Sequence, residues 1–105
     1  MQPIRKNKLE AEGWRVGDAK DFLGLADHEA AYVDVKVALA QALRARRTAA
    51  GMTQLELARQ IASSQSRVAK MESGDASVSL DRLVRALLQL GASRKELGRA
   101  VARVG

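Results

Sequence analysis

Five polar side chains crowded into seven positions, Ser64, Gln65, Ser66, Arg67 and Lys70, have the types and spacing for a chemical task. A glutamine amide presents a donor and an acceptor side by side. Lysine offers a compact cation, and arginine a forked one. Carried on one helix, such groups can meet the edges of base pairs, because the major groove of DNA admits an α-helix. Glutamine can bind adenine with two hydrogen bonds and lysine can reach guanine, each good pair contributing ~1–3 kcal/mol of discrimination. Gln65, Ser66 and Lys70 fall on the outer face of the N-terminal half of such a helix, the part that meets bases. Arg67 is placed for a base or a phosphate. The bland alternative is a polar face that only meets water.

Presenting these groups requires two short helices joined by a tight turn, and the run Thr53–Glu72 reads that way. Thr53 with Glu56 three residues on is a capping box for the first helix, whose inner face is Leu57, Ala58 and Ile61. Ser63 or Ser64 caps the second, with Val68 and Met71 turned inward and Gly74 as the stop. Ser79 caps a further helix with the strongest apolar stripe of the chain, Leu80, Leu83, Val84, Leu87, Leu88 and Leu90, ended by Gly91. Ser93 caps a last helix running through Leu97, Val101 and Val104. Upstream, Asp27 reads as an N-cap with Glu29 in the first turn. No Pro or Gly then intervenes before Gly51, and Tyr32, Val35, Leu39, Ala42, Leu43 and Arg46 follow helical steps. Such a helix would be roughly 35 Å long, with a break near Ala31 as the alternative. Five or six helices without a long alternating strand predict an all-α domain.

Residues 36–91 resemble the helix-turn-helix domains of phage repressors and Xre-type regulators. Gln54 and Gln65 open the two motif helices eleven residues apart, as in those repressors. Ala58 stands where the helices must cross closely, Ile61, Val68 and Met71 match core positions, and Glu72-Ser-Gly74 matches the end of the recognition helix. The resemblance implies a λ-repressor-like domain of about five helices with an N-terminal extension. It implies that Gln54 clamps the sugar–phosphate backbone, which sets register without reading sequence. It also implies an ion pair between Arg47 and Glu72, with two unrelated surface charges as the alternative. Two departures stand out. Ala62 replaces the glycine usual in the turn, where a positive φ is costly for a residue with a Cβ. The loop Gly74–Ser79 carries none of the basic residues that some repressors use on phosphates, which leaves the backbone N–H groups at Ser79 as a phosphate site.

The chain has 105 residues, no cysteine and a formal net charge of +6, so it reads as one domain with an appendage and without disulfides. No apolar stretch approaches the ~20 residues of a membrane span, and no apolar signal core opens the chain, so a cytoplasmic location is expected. Charge is uneven. Residues 10–34 hold seven acids against two bases, whereas residues 35–105 hold thirteen bases against five acids. The basic body favours a polyanion through phosphate neutralisation. No glycine-rich phosphate loop, nucleophile elbow or paired carboxylates are present, so neither an enzyme nor a cofactor is expected. His28, the only histidine, has no companions at metal-ligand spacing and reads as a surface residue.

The extension, residues 1–33, precedes a DNA-binding domain over 34–105. Residues 1–9 read as a basic tail, 13–17 as a short extended piece and 21–25 as a small apolar knot. All three aromatic residues of the chain, Trp14, Phe22 and Tyr32, fall in this acidic stretch. The Asp21-Phe-Leu-Gly-Leu25 segment, Ser64–Glu72 and Leu90–Leu97 look similar to small Xre-type antitoxins of the HigA-like group. That resemblance implies an antitoxin that neutralises a basic, RelE/HigB-like ribonuclease toxin and represses its own operon as a homodimer on palindromic double-stranded DNA. Trp14, Phe22, Leu23 and Tyr32 are the candidate toxin contacts; core packing is the alternative for Trp14 and Phe22. The last helix and the leucine stripe before it are candidates for the dimer seam, or for the core. A stand-alone Xre-family repressor is the second reading, and a helical protein- or RNA-binding module the third.

Overall fold

The structure is a computed structural model and describes residues 26–103. Five helices follow in order: α1 Asp27–Ala49, α2 Gln54–Gln60, α3 Gln65–Ser73, α4 Leu80–Gln89 and α5 Arg94–Ala102. There is no strand among the described residues, and the domain is all-α and λ-repressor-like. Two compact units are distinguished, Met1–Val35 with Val104–Gly105, and Lys36–Arg103. Of the first, only residues 26–35 are described. Trp14, Phe22, Leu23, the basic tail and the segments 13–17 and 21–25 lie outside the described residues, as does Val104.

The cap chemistry of the sequence sets the helix starts. Thr53 accepts from the Glu56 N–H at 3.1 Å while the Glu56 carboxylate accepts from the Thr53 N–H at 2.8 Å. The Ser93–Glu96 pair repeats this box at α5. Ser64, not Ser63, caps α3, and the Ser63 hydroxyl is buried without a partner among the described residues. Asp27 is the first helical residue of α1 rather than its cap; Glu29 reaches back to accept from the Ala26 N–H at 3.1 Å. α1 then runs without interruption through Ala31, because nothing in its 23 residues breaks a helix.

The core of the Lys36–Arg103 unit is built around Leu43, Leu57, Val68, Met71 and Leu83, each fully enclosed. Every such side chain gains about 1.5–3 kcal/mol from leaving water. Ala58 is 1 % exposed where α2 meets α3, so the small side chain does allow a close crossing. The expected stripes are correct in their centres and fade at their edges. Leu88 and Tyr32 are exposed, and on α5 it is Ala100 that is buried while Leu97 and Val101 are only half-buried.

The turn between α2 and α3 takes the conformation that a glycine would favour. Ala62 has φ +55°, and is the only non-glycine residue with positive φ among those described. The Ser63 N–H returns to the Ala58 carbonyl at 2.8 Å and the Ala62 N–H to the Arg59 carbonyl at 3.3 Å. That pair of bonds closes the helix end and requires a left-handed residue between them. An alanine there costs roughly 1–2 kcal/mol, part of which a glycine would return through its larger unfolded-state entropy. Ala62→Gly is therefore expected to stabilise the protein by about 0.5–1 kcal/mol in urea unfolding. A destabilised variant would show that the strain relieved at this turn is smaller than the entropy a glycine costs.

Candidate nucleic-acid interface

α3 enters the site already oriented by its two ends. At its start the Ser64 hydroxyl oxygen accepts from the Arg67 N–H at 3.1 Å. At its end Gly74, with φ +71°, closes the helix through the Asp75 N–H to Lys70 carbonyl bond at 3.0 Å. Val68 and Met71 face the core, which turns Gln65, Ser66, Arg67 and Lys70 to solvent. Ser64, Ser66, Arg67 and Lys70 come together along one cleft, whose other wall is Ser77, Val78 and Arg82. Gln65 is exposed on the same helix but does not line that cleft.

The cleft is cationic because Arg67, Lys70 and Arg82 line it and no carboxylate does. Within Lys36–Arg103, Glu56 and Glu96 complete capping boxes, Glu72 pairs with Arg47, Asp81 with Arg85, and Asp75 binds Ser77. Arg67, Lys70 and Arg82 enter no ion pair among the described residues, and a free cation is the form that neutralises a phosphate. The hydroxyl of Ser77, then its N–H, holds the Asp75 carboxyl below the usual carboxylate range; Lys70 and Lys36 add to this and burial opposes it. Asp75 is thus spent on shaping its own loop.

Arg82 is the residue that sequence reasoning missed. The loop Gly74–Ser79 holds no cation, as expected, yet the needed charge lies one turn further on, in the first turn of α4. The signal was present: a residue three beyond a serine N-cap sits beside the helix start, and so beside the loop that leads into it.

Gln54 stands apart from the cleft. It is half-buried and its amide donates to Glu72 Oε1 at 3.2 Å. Glu72 also receives two bonds from the Arg47 guanidinium, Nε to Oε2 at 2.5 Å and Nη2 to Oε1 at 3.0 Å. Arg47 Nη1 continues to the Met52 carbonyl at 2.8 Å. The Arg47 and Glu72 side chains are only 12 % and 4 % exposed, so the pair expected from resemblance is present and largely buried. Hydrogen bonding to Glu72 holds the Arg47 pKa above its ordinary value, against the opposing effect of burial. This network ties the end of α1 to the end of α3 and the start of α2, so both motif helices hang from one ion pair.

Two capped helices crossing at an alanine, the second with a cationic outer face, are the architecture of a helix-turn-helix DNA-binding protein. The chain matches the helix-turn-helix family over residues 43–99, more than half its length, and belongs to that family. It is a sequence-specific DNA-binding regulator, and its family is one of DNA binders rather than enzymes. Comparison with curated proteins and with solved structures returned no match. Among the described residues no helix is long and apolar enough to cross a membrane.

Proposed function

We propose that this regulator is the antitoxin of a toxin–antitoxin pair, neutralising a RelE/HigB-like ribonuclease and repressing its own operon. In this reading a homodimer places two copies of α3 in successive major grooves about 34 Å apart on a palindromic site. Gln65, Ser66 and Lys70 contact base edges, Arg67 a base or phosphate, and Ser64 and Gln54 the backbone. Leu88, 44 % exposed on α4, and the half-buried Leu97 and Val101 of α5 supply the apolar seam between copies.

The observation that carries the antitoxin reading is the opening of α1. It lies outside the family match and presents Tyr32, 48 % exposed, with Asp27 and Glu29 exposed in its first turn and Asp34 half-buried. DNA repels such a surface, whereas a basic enzyme attracts it. It continues in sequence the acidic stretch that holds Trp14, Phe22 and Leu23. Co-expression with the product of the adjacent reading frame tests the proposal. Co-purification and rescue of growth are expected, and both should be lost on deleting residues 1–33 while DNA binding survives. Failure of the intact chain to co-purify leaves the stand-alone repressor.

Arg82 gives a separate expectation. A cation that meets a phosphate contributes to affinity on every sequence alike. Arg82→Ala should therefore weaken binding to all duplexes equally and lower the slope of log K against log salt by about 1. An unchanged slope would remove Arg82 from the interface.

A further inference from the structure

Lys36 is buried, only 8 % exposed, although it belongs to no ion pair among the described residues. A charge withdrawn from water is costly unless it is hydrogen-bonded. The bond it makes is unusual in its reach: Nζ donates to the main-chain carbonyl of Ala76, forty residues away, at 3.3 Å. Ala76 lies in the loop between α3 and α4, two residues from Val78, which lines the cationic cleft.

The rest of that loop is held as firmly. The Val78 N–H returns to the Asp75 carbonyl at 3.0 Å, and the Ser77 N–H to Asp75 Oδ2 at 2.9 Å. The Ser77 hydroxyl binds the same carboxylate. Val78 is 4 % exposed, and a Cβ built on Gly74 would stand 3.8 Å from Val37 and 3.9 Å from Ala40 of α1. Asp75 thus shapes the loop from its exposed side while the Lys36 ammonium, reaching from α1, holds the Ala76 carbonyl. Lys36, Val37 and Ala40 precede the family match at 43–99.

We propose that Lys36 is a positioning residue for DNA binding: its ammonium fixes the Ala76 carbonyl, and with it the wall of Ser77, Val78 and Arg82 that faces phosphates beside α3. It never touches the nucleic acid. The proposal rests on the cleft being the DNA-facing surface. A loop with several conformations must be ordered when it binds, and that ordering lowers affinity. Lys36 removes the need for it in advance.

Lys36→Met keeps the apolar stem and deletes the donor. Binding to a mixed-sequence duplex should weaken roughly five- to tenfold. The salt slope should stay unchanged, because no phosphate contact is lost. Amide exchange should quicken at Ser77 and Val78 and remain slow at Leu83 and Leu87. Lys36→Arg, which restores a cationic donor, should recover most of the affinity. Full affinity in Lys36→Met, or in Lys36→Leu should the methionine variant unfold, overturns the proposal. So does a lowered salt slope, which would make Lys36 a direct contact. If the unaltered protein fails to bind the duplex at all, it is the assignment of the cleft to DNA that falls.

Discussion

Arg47→Ala should lower the unfolding free energy by about 3 kcal/mol, the low end of the 3–5 kcal/mol typical when one partner of a buried ion pair is removed. The low end is chosen because the guanidinium keeps 12 % of its surface in water. The variant leaves the Glu72 carboxylate, 4 % exposed in the intact protein, with only the Gln54 amide as partner, and strips the Met52 carbonyl of its Arg47 donor. A small domain holds only about 5–15 kcal/mol in total, so such a loss should be visible as a large fall in the urea midpoint. Replacing both partners with apolar residues should recover much of the loss, since the cost lies in the orphaned charge more than in the missing attraction. A loss below about 1 kcal/mol would mean that water reaches the pair and that it behaves as a surface contact. Because the Arg47 pKa is held above its ordinary value, the contribution of this group is fully present below the unfolded pKa of arginine. It is lost only as pH rises through the folded pKa, so it does not vary across the neutral range.

Gln65→Ala and Lys70→Ala should each cost roughly tenfold to a hundredfold on the cognate site, the equivalent of ~1–3 kcal/mol per base contact. The two should differ on unrelated sequences. Gln65 carries no charge, so its loss should leave non-specific affinity and the salt slope intact and erase preference at one base pair. Lys70 is a free cation in the cleft, so its loss should also lower non-specific binding and the slope. Selection of preferred duplexes by each variant, compared at fixed salt, separates the outcomes. Affinity loss spread evenly over all sequences for Gln65→Ala would contradict base reading by this residue.

The motif was legible in the sequence because its signals are local. Caps at Thr53, Ser64, Ser79 and Ser93, stops at Gly74 and Gly91, and apolar steps through Leu57, Val68 and Leu83 depend on neighbours within one or two turns. The positive φ of Ala62 was legible through resemblance, since the turn demands it whatever residue stands there. What escaped was long-range. Arg82 joins Lys70 in one cleft, and Lys36 reaches Ala76, only because tertiary packing brings separate elements together. No periodicity encodes such a meeting. Gln54, to which resemblance assigns the sugar–phosphate backbone, makes a further long-range contact, its amide donating to Glu72 at the end of α3. Tyr32 continues the helical step of the core residues yet stands exposed, because spacing along α1 does not reveal which part of the helix is covered.

The most direct trial is an NMR titration of the isotope-labelled protein with a palindromic duplex selected by the protein itself. The side-chain amide of Gln65 and the backbone amides from Ser64 to Lys70 should shift strongly, with smaller changes at Ser77, Val78 and Arg82 and little at the core residues Leu43 and Leu83. Specific binding that left the Ser64–Lys70 signals unmoved, with the changes gathered on another helix, would contradict the assignment of α3 to the groove.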